Sequence, residues 1–309
     1  ADTDGDREAL HRFISRIGQW KHGALRILII PYGEAMIHRY YREGIIRLAA
    51  MPHVAGVSCQ TNLSFSVSRF LDEVEEARAD VTKIKFWGSY HPEMADVTDF
   101  ASKIEKLHAA GIEVCAGVVG DPSAKEQIRR LRLLLDPSVY LFVNAMQGLR
   151  KPLSEEDVRF FNEMDNLFDY HRRNAKACLN NCSGGRESLF VDREGGMYAC
   201  PRSGVRTGNF YDDSASLLQP SCLRKVCDCY IAFSNLRDTP LRRMMGEGAL
   251  WRIPERKKVR AVFFDIDGTL TDVQGRIPGR TVSALKYMSG RLPLYLSTAL
   301  PMAHAKKRL

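Results

Sequence analysis

The sequence predicts an α/β protein, on three observations. Short apolar strand candidates recur through the first 145 residues, amphipathic stretches separate them, and six of the eight cysteines crowd between Cys178 and Cys229. The first two describe a run of βα units, which build either an open parallel sheet or a (β/α) barrel of the TIM type. The third describes a small Cys-rich β-hairpin domain, after which a βαβ stretch begins a second parallel fold. The expected domains are 1–170, 171–250 and 251–309.

The first helix is read from Leu10, Phe13, Ile14 and Ile17, whose spacing lines one helical face. Strand candidates follow at 25–30, 54–60, 83–87, 112–119 and 139–143, with starts about 28 residues apart. Val97, Phe100, Ile104 and Leu107 show helical spacing between the third and fourth. Ser154 opens another helix: Ser-Glu-Glu-Asp resembles a capping box, and Val158, Phe160, Phe161 and Met164 supply an apolar face. From 174 to 235 the composition shifts to Cys, Gly, Asn and Ser, with one hairpin at 187–192 and 197–200 around a turn at 193–196. That segment is too small to bury much apolar surface, so bound metal would contribute its folding energy. An apolar strand at 259–264 then runs into Asp265-Ile266-Asp267-Gly268-Thr269. A helix over 281–289 leads to a strand at 292–296, ending in Ser297-Thr298-Ala299.

Hydrophobic residues make up 45% of the chain, as in an ordinary soluble protein, and the longest apolar runs are strand-sized, far short of a membrane helix. With no secretory leader in view, a cytoplasmic location and no membrane partner are expected. The net charge of +8 permits phosphorylated or nucleic-acid ligands, yet the positive residues are dispersed except at 242–260, which reads as a solvated linker. Nucleic acid is therefore not the expected partner.

Thiolates are soft, strongly donating ligands, so several on short loops can wrap an iron–sulfur cluster or a zinc ion. Cys178, Cys182, Cys200, Cys222, Cys227 and Cys229 are the candidate ligands. The hairpin with its Gly195 turn carries Cys200 back beside Cys182. Disulfides are the competing reading of an even cysteine count, but a chain of 309 residues can bury a core without staples. Cys59 and Cys115 each stand alone in an apolar strand and read as buried small hydrophobes.

The Cys-rich segment resembles the auxiliary-cluster domains, called SPASM or twitch domains, that follow the barrel in many radical S-adenosylmethionine (radical SAM) enzymes. Here the later cysteine gaps are four residues and one, where those domains often carry Cys-x-x-Cys. The strand ends are similar to the same family. Pro31-Tyr32-Gly33-Glu34-Ala35 resembles the Gly-Gly-Glu-Pro motif that holds the methionyl amino group of SAM, and Gln60-Thr61-Asn62 resembles a Thr-Asn-Gly strand end. Phe86-Trp87-Gly88-Ser89-Tyr90-His91-Pro92 lies where relatives bind ribose or substrate.

By this resemblance, over about residues 5–250, Gly33, Glu34, Thr61, Asn62 and Ser89 would bind SAM, and His91 with Tyr90 would face substrate. A satisfied structural histidine is the competing reading of His91. His38, Tyr40 and Tyr41 read as packing residues of the helix after the Gly-Glu motif. The family's Cys-x-x-x-Cys-x-x-Cys loop is absent from these 309 residues, and the chain starts at Ala1, so we expect a partial barrel lacking its first strand and that loop. The resemblance implies a 4Fe-4S cluster, SAM, an electron donor such as a flavodoxin or ferredoxin, and hydrogen abstraction by a 5′-deoxyadenosyl radical.

Asp265-x-Asp267-Gly268-Thr269 after an apolar strand suits two carboxylates working around Mg²⁺. It resembles motif I of the haloacid dehalogenase (HAD) phosphohydrolases. By that resemblance Asp265 is the nucleophile, Asp267 the acid, both hold Mg²⁺, and Thr298 grips the phosphoryl group as in motif II. The family's later lysine and acidic pair have no counterpart; Lys306 and Lys307 are not assigned. The leading expectation is a radical SAM fragment fused to a HAD-type phosphatase and acting on a small-molecule or phosphorylated substrate. A zinc-stabilised scaffold and a Mg²⁺-dependent phosphatase alone are the alternatives.

Overall fold

The computed structural model describes residues 3–146, 152–172, 176–177, 182–212, 225–227, 229, 231–254, 261–272, 274–290 and 292–297. It divides into two compact units, Ala1–Glu255 and Arg256–Leu309. Among the described residues no helix is long and apolar enough to cross a membrane.

The first unit holds a curled five-stranded parallel half-barrel in simple sequence order. Its strands are β1 (Leu25–Ile29), β2 (Val54–Thr61), β3 (Ile84–Tyr90), β4 (Glu113–Gly120) and β5 (Leu141–Ala145). Helices α1 (Thr3–Gly18), α2 (Arg39–Ala49), α3 (Val67–Glu76), α4 (Val97–Ala109), α5 (Lys125–Leu134), α6 (Glu155–Met164) and α7 (Phe168–Arg172) accompany them. Strand period two divides the sheet into two faces. Val57, Cys59, Phe86, Val114, Ala116, Val118, Leu141 and Val143 join the helices in the main core, together with the expected Leu10, Ile14, Val97, Phe100, Ile104 and Leu107. The register aligns the alternate residues: Leu28 with Ser58, Ser58 with Lys85, Gln60 with Trp87, Trp87 with Cys115, Gly117 with Phe142 and Val119 with Asn144. These form the concave face.

Local chemistry sets the helix starts. Ser66 accepts from the Arg69 N–H, and Asp96 accepts from those of Thr98 and Asp99. At α6 the anticipated capping box forms: the Asp157 N–H donates to Ser154 Oγ while the Ser154 N–H donates to Asp157 Oδ2. Lys125 Nζ, 2.5 Å from Asp157, and the Ser154 hydroxyl hold that carboxyl down to about 2. The folded state therefore binds this proton less readily than the unfolded chain. The stabilisation is present above the ordinary aspartate value and fades as pH falls from 3.8 toward 2. Asp157→Asn is expected to cost about 1 kcal/mol near pH 7, with the gap to the parent closing over that acid window in urea titrations.

The solvated linker expected at 242–260 is corrected over its described part, 242–254. Pro240–Met245 forms α8, a turn of 3-10 geometry covers Gly246–Trp251, and Trp251 and Ile253 are buried against Trp87, Cys115 and Phe142 on the concave face. The apolar Ala249, Leu250, Trp251 and Ile253 outweigh the flanking arginines once a half-barrel offers them an uncovered floor. Gly56 is required there, since a Cβ on it would overlap Cη2 of Trp251.

In the Cys-rich segment the hairpin β6 (Phe190–Val191) and β7 (Gly196–Tyr198) is extended by an unanticipated third strand, β8 (Gly208–Asn209). Gly195 makes the turn at φ +88°, and Asp192 Oδ1 accepts from the Gly196 N–H at 2.6 Å. This sheet leans on α1: Phe13 stacks on Phe210 at 5.8 Å and the Arg12 guanidinium lies 4.2 Å from the Tyr211 ring centre. A separate two-residue pairing joins Lys176–Ala177 to Val226–Cys227.

The second unit is a βαβ element: β strand Val262–Asp265, helix Gly279–Ser289, and parallel strand Leu294–Ser297. The last strand starts later than expected because the Leu292 N–H donates to Met288 at the helix end. Pro293 has no N–H; its carbonyl accepts from Val262 and begins the pairing.

Candidate functional site

The site is built at the carboxyl ends of β1, β2 and β3, where a parallel sheet leaves its loops free to carry ligand groups. Beyond β1 the chain turns at Gly33, whose φ of +85° suits glycine and whose Cβ position has no neighbour within 4 Å. The half-buried Glu34 then points back along β2. Its Oε1 accepts from the Thr61 hydroxyl at 2.7 Å and the Met36 N–H at 3.0 Å, and its Oε2 accepts from the Asn62 N–H at 2.6 Å. An ionised carboxylate has about four acceptor positions, so one on Oε2 is left over.

The donors are themselves fixed. Thr61 Oγ1 accepts from Leu63 N–H at 3.0 Å, and Asn62 Oδ1 accepts from Ser64 N–H at 2.9 Å. Sequence reading missed Arg42. Buried on α2, it donates to the Met36 and Ile37 carbonyls at 3.0 and 3.1 Å and forms a two-pronged pair with Glu73. Burial raises the Glu73 carboxyl, but the Arg42 guanidinium overrides it and leaves the group below its ordinary value. No spacing rule signals an arginine that pins a loop through main-chain carbonyls.

Ser89 sits half-buried on the concave face, level with Gly117. There the missing Cβ matters, because one on Gly117 would lie 2.8 Å from Trp87 Nε1. His91 is partly exposed, with Nδ1 3.8 Å from Glu93. Tyr90, expected beside it, instead packs on Phe100 at 5.1 Å on the helix side, as strand alternation requires. Tyr40 donates to Asp6 at 3.0 Å and Tyr41 is buried, in keeping with packing roles. Two more polar groups on the concave face were not anticipated: Ser58 Oγ and Asn144 Oδ1 are buried and, among the described residues, accept or donate no hydrogen bond.

The lower part of that face is closed. Trp251 donates to the Ile27 carbonyl at 3.3 Å, the Cys115 thiol donates to the Trp251 carbonyl at 3.3 Å, and the Arg252 guanidinium lies 4.8 Å from the Phe142 ring centre. Cys59 and Cys115 are fully buried, and burial pushes the Cys115 thiol up to about 12 and Cys59 up as well. Neither is poised to be a ligand.

Of the candidate metal ligands, Cys182 and Cys227 pack against one small core, and the main-chain carbonyl of Cys229 accepts from the N–H of Phe233 in that core at 3.0 Å. Cys200 is buried in the turn after β7. Among the described residues, no three His, Cys, Asp or Glu side chains gather as metal ligands. Cys178 and Cys222 lie outside the described residues. In the second unit, Asp265 is exposed at its strand end, directly paired in register with Ser297. Asp267 belongs to the turn Ile266–Leu270, with its side chain outside the described set, as is Thr298.

No protein-family model matches the chain, and neither does any curated protein. Among solved structures, the chain is similar to native anSMEcpe with bound AdoMet, at 12% identity and a TM-score of 0.45, over 79% of this chain and 78% of that one. It is also similar to native anSMEcpe with bound AdoMet and Cp18Cys peptide, at 12% identity and a TM-score of 0.42, over 79% of each.

Proposed function

We propose that this chain carries the SAM pocket of a radical SAM iron–sulfur enzyme, joined to a HAD-type phosphatase segment. The observation that carries the reading is the Glu34 carboxylate, fixed by Met36, Thr61 and Asn62 between two adjacent parallel strand ends with one acceptor position unused. A primary ammonium group is the natural complement of that position. Thr61 and Asn62 keep the carboxylate from rotating, Arg42 keeps its loop in place, and Gly33 leaves room beside it. Ser89 and His91, on the next strand and loop, face the remainder of the molecule. Bound SAM would supply one-electron radical chemistry, while Trp87, Phe142 and Trp251 keep water from the floor beneath.

The iron–sulfur part of the reading rests on the cysteine spacing and on Cys182 and Cys227 meeting at one core, with Cys178, Cys200, Cys222 and Cys229 as their companions. The phosphatase part rests on Asp265 and Ser297 standing side by side at parallel strand ends. There Asp265 would be nucleophile and Asp267 acid, with Mg²⁺ between enzyme and phosphate.

The test is equilibrium dialysis of the whole chain against labelled SAM. Glu34→Ala is expected to weaken binding about 10- to 100-fold, the worth of one charge-assisted hydrogen bond. Glu43→Ala, exposed on α2, should leave it unchanged. Equal affinity in the parent chain and Glu34→Ala would remove the assignment.

A further inference from the structure

Two small cores meet in one short segment. Leu241, Met245 and Ala249 complete a core with Leu167, Phe233 and Leu236, against which Cys182 and Cys227 pack. Cys182 is held there by its backbone pairing with Leu236, and the next N–H, from Ser183, donates to the Asn235 carbonyl at 2.8 Å. Two residues beyond Ala249, Trp251 enters the concave floor with Trp87, Cys115 and Phe142, and Tyr140 touches both cores. The connection is stiff. A Cβ on Gly248 would overlap the Ile253 carbonyl, and Arg252 holds φ at +59°.

We infer that the Cys-rich core is a latch for the floor of the half-barrel: what occupies the space at the Cys182 and Cys227 sulfurs decides whether Trp251 stays seated. Packed interiors do not absorb added volume continuously; they shift an element as a body. The element here is α8, six residues long and continuous with the turn that ends at Trp251. Cys182 and Cys227 are both half-buried against this core, so bulk added at either sulfur crowds it and, through α8, the turn that ends at Trp251. Ser89 and Asn144 line the same concave face, so the state of the thiols is felt at the candidate site. This inference goes beyond the SAM reading and holds or fails without it.

The experiment uses the full chain labelled with 5-fluorotryptophan, whose three ¹⁹F signals are assigned from single Trp→Phe variants of Trp20, Trp87 and Trp251. After N-ethylmaleimide treatment, with Cys182 and Cys227 adducts verified by mass, the Trp251 signal is expected to move toward its solvent-exposed position. Amide exchange across 246–254 should quicken about tenfold, while Trp20 stays unchanged and the Cys182→Ala/Cys227→Ala double variant does not respond. Cys182→Leu and Cys227→Leu, which add volume without a reagent, should each reproduce the Trp251 shift. A stationary Trp251 signal in both leucine variants overturns the latch. So does collapse of all three signals together, which would mean general unfolding.

Discussion

Trp251→Ala is expected to destabilise the first unit by about 3–5 kcal/mol, the range for deleting a large aromatic from a packed interior. The side chain is 5% exposed, fills the notch above Gly56, and donates to the Ile27 carbonyl. Its loss leaves a cavity bounded by Trp87, Cys115 and Phe142, and strips the concave face of the segment that packs on those three side chains. The surrounding strands are tied to one another by backbone pairing and cannot close the gap by moving inward. Urea unfolding followed by circular dichroism measures the effect, with Trp251→Phe recovering part of it. A loss below about 1 kcal/mol would place position 251 among ordinary surface sites and remove the floor from this account.

Asp165→Ala is expected to cost a similar amount, about 3–5 kcal/mol, by a different route: it orphans donors. Asp165, 1% exposed just past α6, accepts from the Tyr140 hydroxyl at 2.6 Å, the Leu167 N–H at 2.9 Å and the Val143 N–H at 3.0 Å. One side chain thus joins β5 to the start of α7, and its removal leaves three buried polar hydrogens without acceptors. Burial raises the Asp165 carboxyl and outweighs these three bonds, which lower it. The folded state therefore holds this proton more tightly than the unfolded chain. The contribution is full below the ordinary aspartate value and declines as pH rises through the shifted one. Asp165→Asn should lack that decline, because its amide does not titrate. Denaturation midpoints across the acid range, compared between parent and variant, read this directly.

Much of the scaffold was legible because its signals are local. All five strands begin within two residues of their expected positions, β3 running three residues past its expected end, and the Ser154 capping box forms as its four residues suggest. Period-two alternation likewise fixes Cys59 in the core. The Glu34, Thr61 and Asn62 grouping was anticipated from the resemblance of two strand-end motifs, and the hydrogen bonds place the three residues together. Partners distant in sequence without a periodic signature were not legible. Arg42 reaches Glu73 across 31 positions, and Trp251 reaches Ile27 across 224. The described part of 242–260, residues 242–254, was misjudged because its arginines advertise solvent, while the apolar residues among them answer to a surface that only the finished sheet creates. Tyr90 was misplaced by one step of strand alternation, which sends it outward when Ser89 faces in.

The distance between Ile27 and Trp251 also bears on how the molecule is made. At about 5–20 residues per second, a ribosome needs roughly 11–45 s to travel the 224 residues between them. Through that interval β1 to β5 can emerge and pair with Trp87, Cys115 and Phe142 still uncovered. The nascent first unit therefore carries this aromatic surface without its closing side chain until the segment with Trp251 has been made.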